Sequence, residues 1–352
     1  MNAIVTALTP VAPNSAPRSA QPLPTPAQLR ARMPASAQSL ATVKYGREAI
    51  RAIMQGDDPR LLVIAGPCSL HDPDAALEYA ERLANLASRV GDQMLLVMRA
   101  YVEKPRTTVG WKGLMYDPQL DGSGDMASGL ALSRRLMLGI TELGLPVATE
   151  LLQPLAAGYL DDLLSWAAIG ARTSESQVHR ELVSGLDLPV GFKNGTDGGF
   201  TIACDAMRSA AHAHQYFGVD DHGHPALIQA NGNPDTHLVL RGGHGGPNYQ
   251  PESVQTAVTA LRNQGIQSGL IVDCSHANSG KNPLQQPAVL EAVIGQRLAG
   301  QDSLRGIMLE SHLFDGCQPL SPELRYGVSI TDGCLGWSAT EDALLSAAQR
   351  LR

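Results

Sequence analysis

Excess positive charge, long apolar runs and a dense cysteine pattern are all missing from this 352-residue sequence. Lys and Arg number 27 against 34 Asp and Glu, a formal net charge of -7, so no domain-wide basic surface is available to neutralise a nucleic-acid backbone. Any anion site must therefore be local. No apolar stretch approaches the length of a membrane span, and the N-terminus lacks the charged segment and apolar run of a secretory signal. A cytoplasmic address is expected. The five cysteines (Cys68, Cys204, Cys274, Cys317 and Cys334) are odd in number and scattered, which fits free thiols or metal ligands better than a disulfide framework.

The sequence does have the composition of a folded protein, with 43% hydrophobic and 17% charged residues, far from the balance that keeps a chain disordered. Residues 1–26 are the exception. They are rich in Ala, Pro, Ser and Thr and nearly uncharged, and read as a disordered arm. Residues 27–60 form a helical extension, with Leu29, Met33, Val43, Ile50 and Ile53 at helical spacing before the turn Gly56-Asp57-Asp58-Pro59. From residue 61 to 352 short aliphatic runs alternate with amphipathic helical stretches, the pattern of parallel βα units. Eight runs are present: Leu61–Cys68, Leu95–Tyr101, Val147–Leu151, Ala167–Arg172, Val190–Asn194, His237–Arg241, Leu270–His276 and Arg305–Glu310. This predicts a (β/α)8 TIM barrel. A turn-rich Asp220-Asp221-His222-Gly223 between two further short runs predicts an inserted β-hairpin at about 215–230, outside the barrel closure.

A (β/α)8 barrel places its active site at the C-terminal ends of its strands. The eight runs end in Cys68, Arg99, Glu150, Arg172, Lys193, Arg241, His276 and Glu310. Strand alternation puts apolar or small residues beneath them, Ile64 and Gly66 under Cys68 for instance, and Val272 and Cys274 under His276. One strand-terminal arginine would ordinarily face solvent. Eight reactive or charged groups over an apolar floor describe a pre-organised mouth.

That mouth offers a thiol at Cys68, an imidazole at His276, a carboxylate at Glu310 and a further carboxylate at Asp332, a donor set suited to one divalent metal ion. Thiolate and imidazole favour Zn, Fe, Co or Cu, while the carboxylates keep Mn competitive, so ligand type does not name the ion. Six cations converge on the same end: Arg99, Lys104, Arg106, Arg172, Lys193 and Arg241. In an acidic chain they make a focused positive field, suited to more than one phosphate or carboxylate group.

Seven segments carry a resemblance: Gly66-Pro67-Cys68-Ser69, Glu103–Gly113 (EKPRTTVGWKG), Ile169–Arg180 (IGARTSESQVHR), Pro189–Gly198 (PVGFKNGTDG), Leu240-Arg241-Gly242-Gly243, Asp273–Ser279 and Ile330–Trp337. Together they closely resemble the type I 3-deoxy-D-arabino-heptulosonate 7-phosphate (DAHP) synthases, from about Arg60 to the C-terminus. The resemblance implies a metal held by Cys68, His276, Glu310 and Asp332. It implies that phosphoenolpyruvate is bound by Arg99, Lys104, Glu150, Arg172, Lys193 and Arg241, and the phosphate of erythrose 4-phosphate by Pro105, Arg106 and Thr107. In the implied reaction C3 of phosphoenolpyruvate attacks the sugar aldehyde, water adds at C2, and phosphate leaves with its bridging oxygen. Cys68, His276 and Lys104 are the expected catalytic groups, with Lys104 as proton donor to the aldehyde oxygen.

The same resemblance implies homodimers or homotetramers assembled through the N-terminal extension, and feedback regulation by an aromatic amino acid. Feedback-sensitive relatives often carry a Pro-Gln pair where this chain has Ala157-Gly158, and a serine where it has Asp187. The hairpin and Asn231-Gly232-Asn233-Pro234-Asp235 look most like the tyrosine-sensitive branch. Two rivals remain in view: a sister synthase acting on arabinose 5-phosphate, disfavoured by the tetrad Lys104–Thr107, and a silent barrel that only binds phosphorylated metabolites or an aromatic amino acid.

Overall fold

The computed structural model describes residues 20–352; the expected arm lies outside the described residues up to position 19. The chain's first helix, α1 (Pro26–Arg32), begins where Thr25 and Gln28 exchange the reciprocal bonds of a capping box. The second, α2 (Ala37–Gln55), is capped by Ser36 and ends at Gly56, whose φ of 95° only glycine adopts cheaply. The helical stretch read from the sequence is thus two helices, broken at Met33–Ser36.

The order then becomes β1 (Leu61–Gly66), α3 (Pro73–Val90), β2 (Met94–Arg99), α4 (Met126–Glu142), β3 (Val147–Glu150), α5 (Ala157–Leu160), β4 (Trp166–Ile169), α6 (Gln177–Ser184) and β5 (Val190–Lys193). After α7 (Thr201–Ala210) comes the antiparallel pair β6 (His214–Val219) and β7 (Pro225–Ala230), then β8 (Thr236–Leu240), α8 (Pro251–Asn263), β9 (Leu270–Asp273), α9 (Gln286–Leu298), β10 (Leu304–Glu310) and α10 (Trp337–Arg350). Eight parallel strands close in the order β1-β10-β9-β8-β5-β4-β3-β2, while β6 and β7 pair only with each other. The expected TIM barrel with an inserted hairpin is what the chain forms.

Two apolar layers flank the sheet. Outward-facing residues such as Val63, Met98, Phe192 and Leu240 pack beneath the surrounding helices. The inner layer comprises Leu62, Ile64, Leu95, Val97, Ala148, Trp166, Ala168, Val239, Ile271 and Met308, together with Ala49, Ile50, Ile53 and Met54 of α2. The second helix therefore plugs the N-terminal end of the barrel, and each fully buried isoleucine there contributes roughly 1.5–3 kcal/mol. Gly191 makes one inner contact fit. A Cβ there would lie 2.5 Å from the Trp166 ring and 3.2 Å from His237 Nε2, the atom that accepts the indole N–H at 2.8 Å.

Two expectations need correction. Val272 and Cys274 do not lie beneath His276; both belong to the outer layer, and the inward positions of β9 are Ile271 and Asp273. His276 has a positive φ of 54°, so the period-two alternation stops before reaching it. Nor does every run end in its functional residue: Arg99, Glu150, Lys193 and Glu310 close their strands, whereas Cys68, Arg172, Arg241 and His276 stand on the loops that follow.

Candidate active site

A cavity of about 350 Å³ opens at the C-terminal ends of the strands, and every metal- and substrate-site residue expected from the sequence lines it, whereas Ala157-Gly158, Asp187 and Asn231–Asp235 lie outside it. Cys68, Glu310 and Asp332 bring their ligand atoms within 4.8 Å of one another. His276 stands beside them, its Nε2 3.9 Å from Glu310 Oε1. One soft sulfur, one imidazole and two carboxylates on a common rim are a donor set that fits a borderline divalent cation. Burial, with Glu310 nearby, pushes the Cys68 thiol up to about 11, so this sulfur needs an adjacent cation to ligate as thiolate. Lys104 reaches the same cluster, donating to Asp332 Oδ2 at 2.7 Å and to Cys68 Sγ at 2.9 Å. Burial alone would lower its pKa, but Cys68, Glu310 and Asp332 outweigh burial and hold the ammonium form.

Deeper in the barrel two ion pairs are almost wholly removed from water. Arg99 donates to Glu310 Oε1 at 3.0 Å and to the carbonyls of Pro67 and Cys68 at 3.1 and 3.2 Å. Lys193 Nζ lies 3.0 Å from Glu150 Oε2. Burial would raise the Glu150 pKa, but Lys193 overcomes it and keeps the carboxylate ionised. Each buried charge thus has a partner, without which its desolvation would cost several kcal/mol. Nearer the opening, Arg172 is exposed and Arg241 half-buried. Asn194 fixes the second of these, its Oδ1 accepting the Arg241 backbone N–H at 2.8 Å.

Pro105, Arg106 and Thr107 form the outer lip on the loop after β2. Arg106 Nε donates to the Trp111 carbonyl at 2.7 Å, and the Lys104 backbone N–H bonds the Lys112 carbonyl at 2.8 Å, which bends the loop over the cavity. Glu103 anchors it from below, accepting the backbone N–H groups of Leu152 at 3.1 Å and Gln153 at 3.2 Å.

Tyr101, Ser275 and Lys281 also line the cavity and were not singled out from the sequence. Tyr101 read only as the end of an aliphatic run, yet it stacks on Arg99, with the guanidinium carbon 3.5 Å from the ring centroid. In the sequence Asp273 stands only as the first residue of the Asp273–Ser279 segment, which hides its inward position on the strand. A count of alternate positions from Ile271 would have found it.

The family model described as DAHP synthetase I family matches residues 32–345. The chain belongs to the DAHP synthetase I family. It is 52% identical over 329 residues, 92% of each chain, to the phospho-2-dehydro-3-deoxyheptonate aldolase named Tyr-sensitive from Escherichia coli (strain K12). It is 45% identical to the phenylalanine-inhibited enzyme of the same name from Saccharomyces cerevisiae (strain ATCC 204508 / S288c), over 94% of this chain and 92% of that one. A solved phospho-2-dehydro-3-deoxyheptonate aldolase from Francisella tularensis SCHU S4 superimposes with a TM-score of 0.93 at 40% identity, covering 95% of this chain and 98% of that one. Family membership thus accords with a closed barrel whose mouth at the C-terminal strand ends is lined by both acidic and basic side chains.

Proposed function

We propose that this mouth condenses phosphoenolpyruvate with D-erythrose 4-phosphate and water to give DAHP and phosphate, the opening step of aromatic amino-acid biosynthesis. The observation that carries the reading is the meeting, in one cavity, of the Cys68, Glu310 and Asp332 cluster, with His276 beside it, and a buried basic cradle. Cys68, His276, Glu310 and Asp332 would hold one divalent ion, Mn, Fe, Co or Zn, and when bound it supplies electrophilic activation of the sugar aldehyde.

The remaining roles belong to the chain's own groups. Arg99, Lys193, Arg172 and Arg241 hold the carboxylate and phosphate of phosphoenolpyruvate, and Glu150 fixes Lys193 beneath it. Arg106, with Pro105 and Thr107, grips the phosphate of the sugar at the lip. Two anions held in register give proximity that free solution lacks. As the C–C bond forms between C3 and the aldehyde carbon, Lys104 gives its proton to the aldehyde oxygen. Water adds at C2, and the bond from C2 to the bridging oxygen breaks to release phosphate.

Regulation by an aromatic amino acid belongs to the same reading, with tyrosine favoured by the similarity to a Tyr-sensitive enzyme. Dimers or tetramers built through α1 and α2 are the proposed assembly. No helix among the described residues is long and apolar enough to cross a membrane.

The deciding experiment follows phosphate release from phosphoenolpyruvate with and without erythrose 4-phosphate, before and after chelation, with arabinose 5-phosphate as the competing aldose. Release should require erythrose 4-phosphate, stop on chelation and return with added Mn or Zn. Cys68→Ala should lose bound metal and turnover together. Full turnover in a chelator-treated Cys68→Ala protein would remove the ion from the reaction.

A further inference from the structure

We infer that Asp273 is a positioning residue that turns the imidazole of His276 so that its Nε2 lone pair faces Cys68, Glu310 and Asp332. This rests on the proposed ligand role of His276 and adds to it a residue outside the ligand set.

Asp273 ends β9 with its side chain inside the barrel, only 1% exposed. Its Oδ1 accepts the backbone N–H of Ser275 at 3.0 Å and the Ser275 hydroxyl at 2.5 Å. Its Oδ2 lies 2.9 Å from His276 Nδ1 but among the described residues has no hydrogen-bond partner, so the bonded path from Asp273 to the ring runs through Ser275. The left-handed backbone at His276, φ 54°, makes that approach possible, because it folds the imidazole back over the strand end instead of letting it continue outward. The Ser275 hydroxyl has one proton and gives it to Asp273, so Ser275 Oγ, 2.8 Å from Nδ1, can only accept there. Both neighbours of Nδ1 are then acceptors, and the ring proton must sit on Nδ1. A neutral imidazole protonated at Nδ1 has its lone pair at Nε2, the nitrogen that faces Glu310 Oε1 at 3.9 Å. A carboxylate behind a ligating histidine both selects the tautomer and strengthens the donor. A buried carboxylate is costly to keep for packing alone, and among the described residues the one ion-pair contact of Asp273 is with His276.

The test measures binding of Zn or Mn alone to the full-length protein by competition with a chelator. Asp273→Asn should weaken affinity by about 10 to 100-fold while phosphoenolpyruvate affinity stays within twofold. In a His276→Gln background the same substitution should cost nothing further, because its partner is gone; a residue needed only for folding would cost the same in both backgrounds. Affinity within twofold of wild type in Asp273→Asn, or an undiminished loss in the His276→Gln background, overturns the inference. Should Asp273→Asn fail to fold, Ser275→Ala takes its place, with a several-fold loss expected and an unchanged affinity overturning. An ion held equally by wild type and Cys68→Ala overturns the ligand reading itself; one lost in Cys68→Ala but kept by Asp273→Asn overturns only this inference.

Discussion

The guanidinium carbon of Arg99 lies 3.5 Å from the centroid of the Tyr101 ring, and Lys193 Nζ stands 5.5 Å from the same centroid. One aromatic ring therefore braces both buried cations, while among the described residues its hydroxyl has no hydrogen-bond partner. A cation over an aromatic face in a dry site is held by about 2 kcal/mol. Tyr101→Phe keeps the face and should leave the KM for phosphoenolpyruvate within about threefold. Tyr101→Leu removes the face and should raise it by about tenfold or more. Steady-state kinetics with erythrose 4-phosphate saturating separates the two. Equal effects of Phe and Leu would show that the hydroxyl, and not the ring, matters.

Arg106 is exposed at the lip, whereas the paired charges of the floor are buried. Its loss should be felt by the sugar phosphate alone. Arg106→Ala is expected to raise the KM for erythrose 4-phosphate by about tenfold or more, the worth of one charge-assisted phosphate contact, and to leave that for phosphoenolpyruvate within twofold. A parallel rise in both constants would mean that the loop, and not one contact, has been lost.

His237 predicts how stability depends on pH. It is 1% exposed and accepts the Trp166 indole N–H, and burial depresses its pKa to about 3. The unfolded imidazole takes up a proton near pH 6.5, whereas the folded one resists it. Acid therefore favours unfolding progressively below about 6.5, and the contribution is whole only above that value. Between pH 8 and pH 5 this single group should cost about 2 kcal/mol of stability. His237→Gln keeps an acceptor for the indole but does not titrate, so its urea midpoint should fall less over that range. Identical slopes for the two proteins would place the pH dependence elsewhere.

Much of this site could be read from residue order because barrel geometry converts strand order into a ring. Cys68, Arg99, Glu150, Lys193 and Glu310 needed only the positions of their strands to be brought together. The start of α3 is legible in Asp72 and Pro73, an N-cap and a first-turn proline. Asp273 and Tyr101 were hidden for different reasons. Alternation predicts facing only while the backbone stays extended, and the left-handed His276 ends that condition. An aromatic at a strand end looks like core until its neighbour is known to be a buried arginine. The break between α1 and α2 is written in the sequence by Pro34, which cannot continue a helix, and by the capping Ser36, although the apolar spacing runs through both.

The plug that α2 makes with Ile50 and Ile53 has a consequence for traffic through the enzyme. With α2 filling the far end, the mouth above the strand ends is the doorway for both reactants and both products among the described residues. On the proposed assignment phosphoenolpyruvate sits at the floor, against Arg99 and Lys193, and the sugar sits above it at the lip. Whatever occupies the floor must arrive before its companion and cannot depart past it, so the shape of the vessel alone imposes a queue.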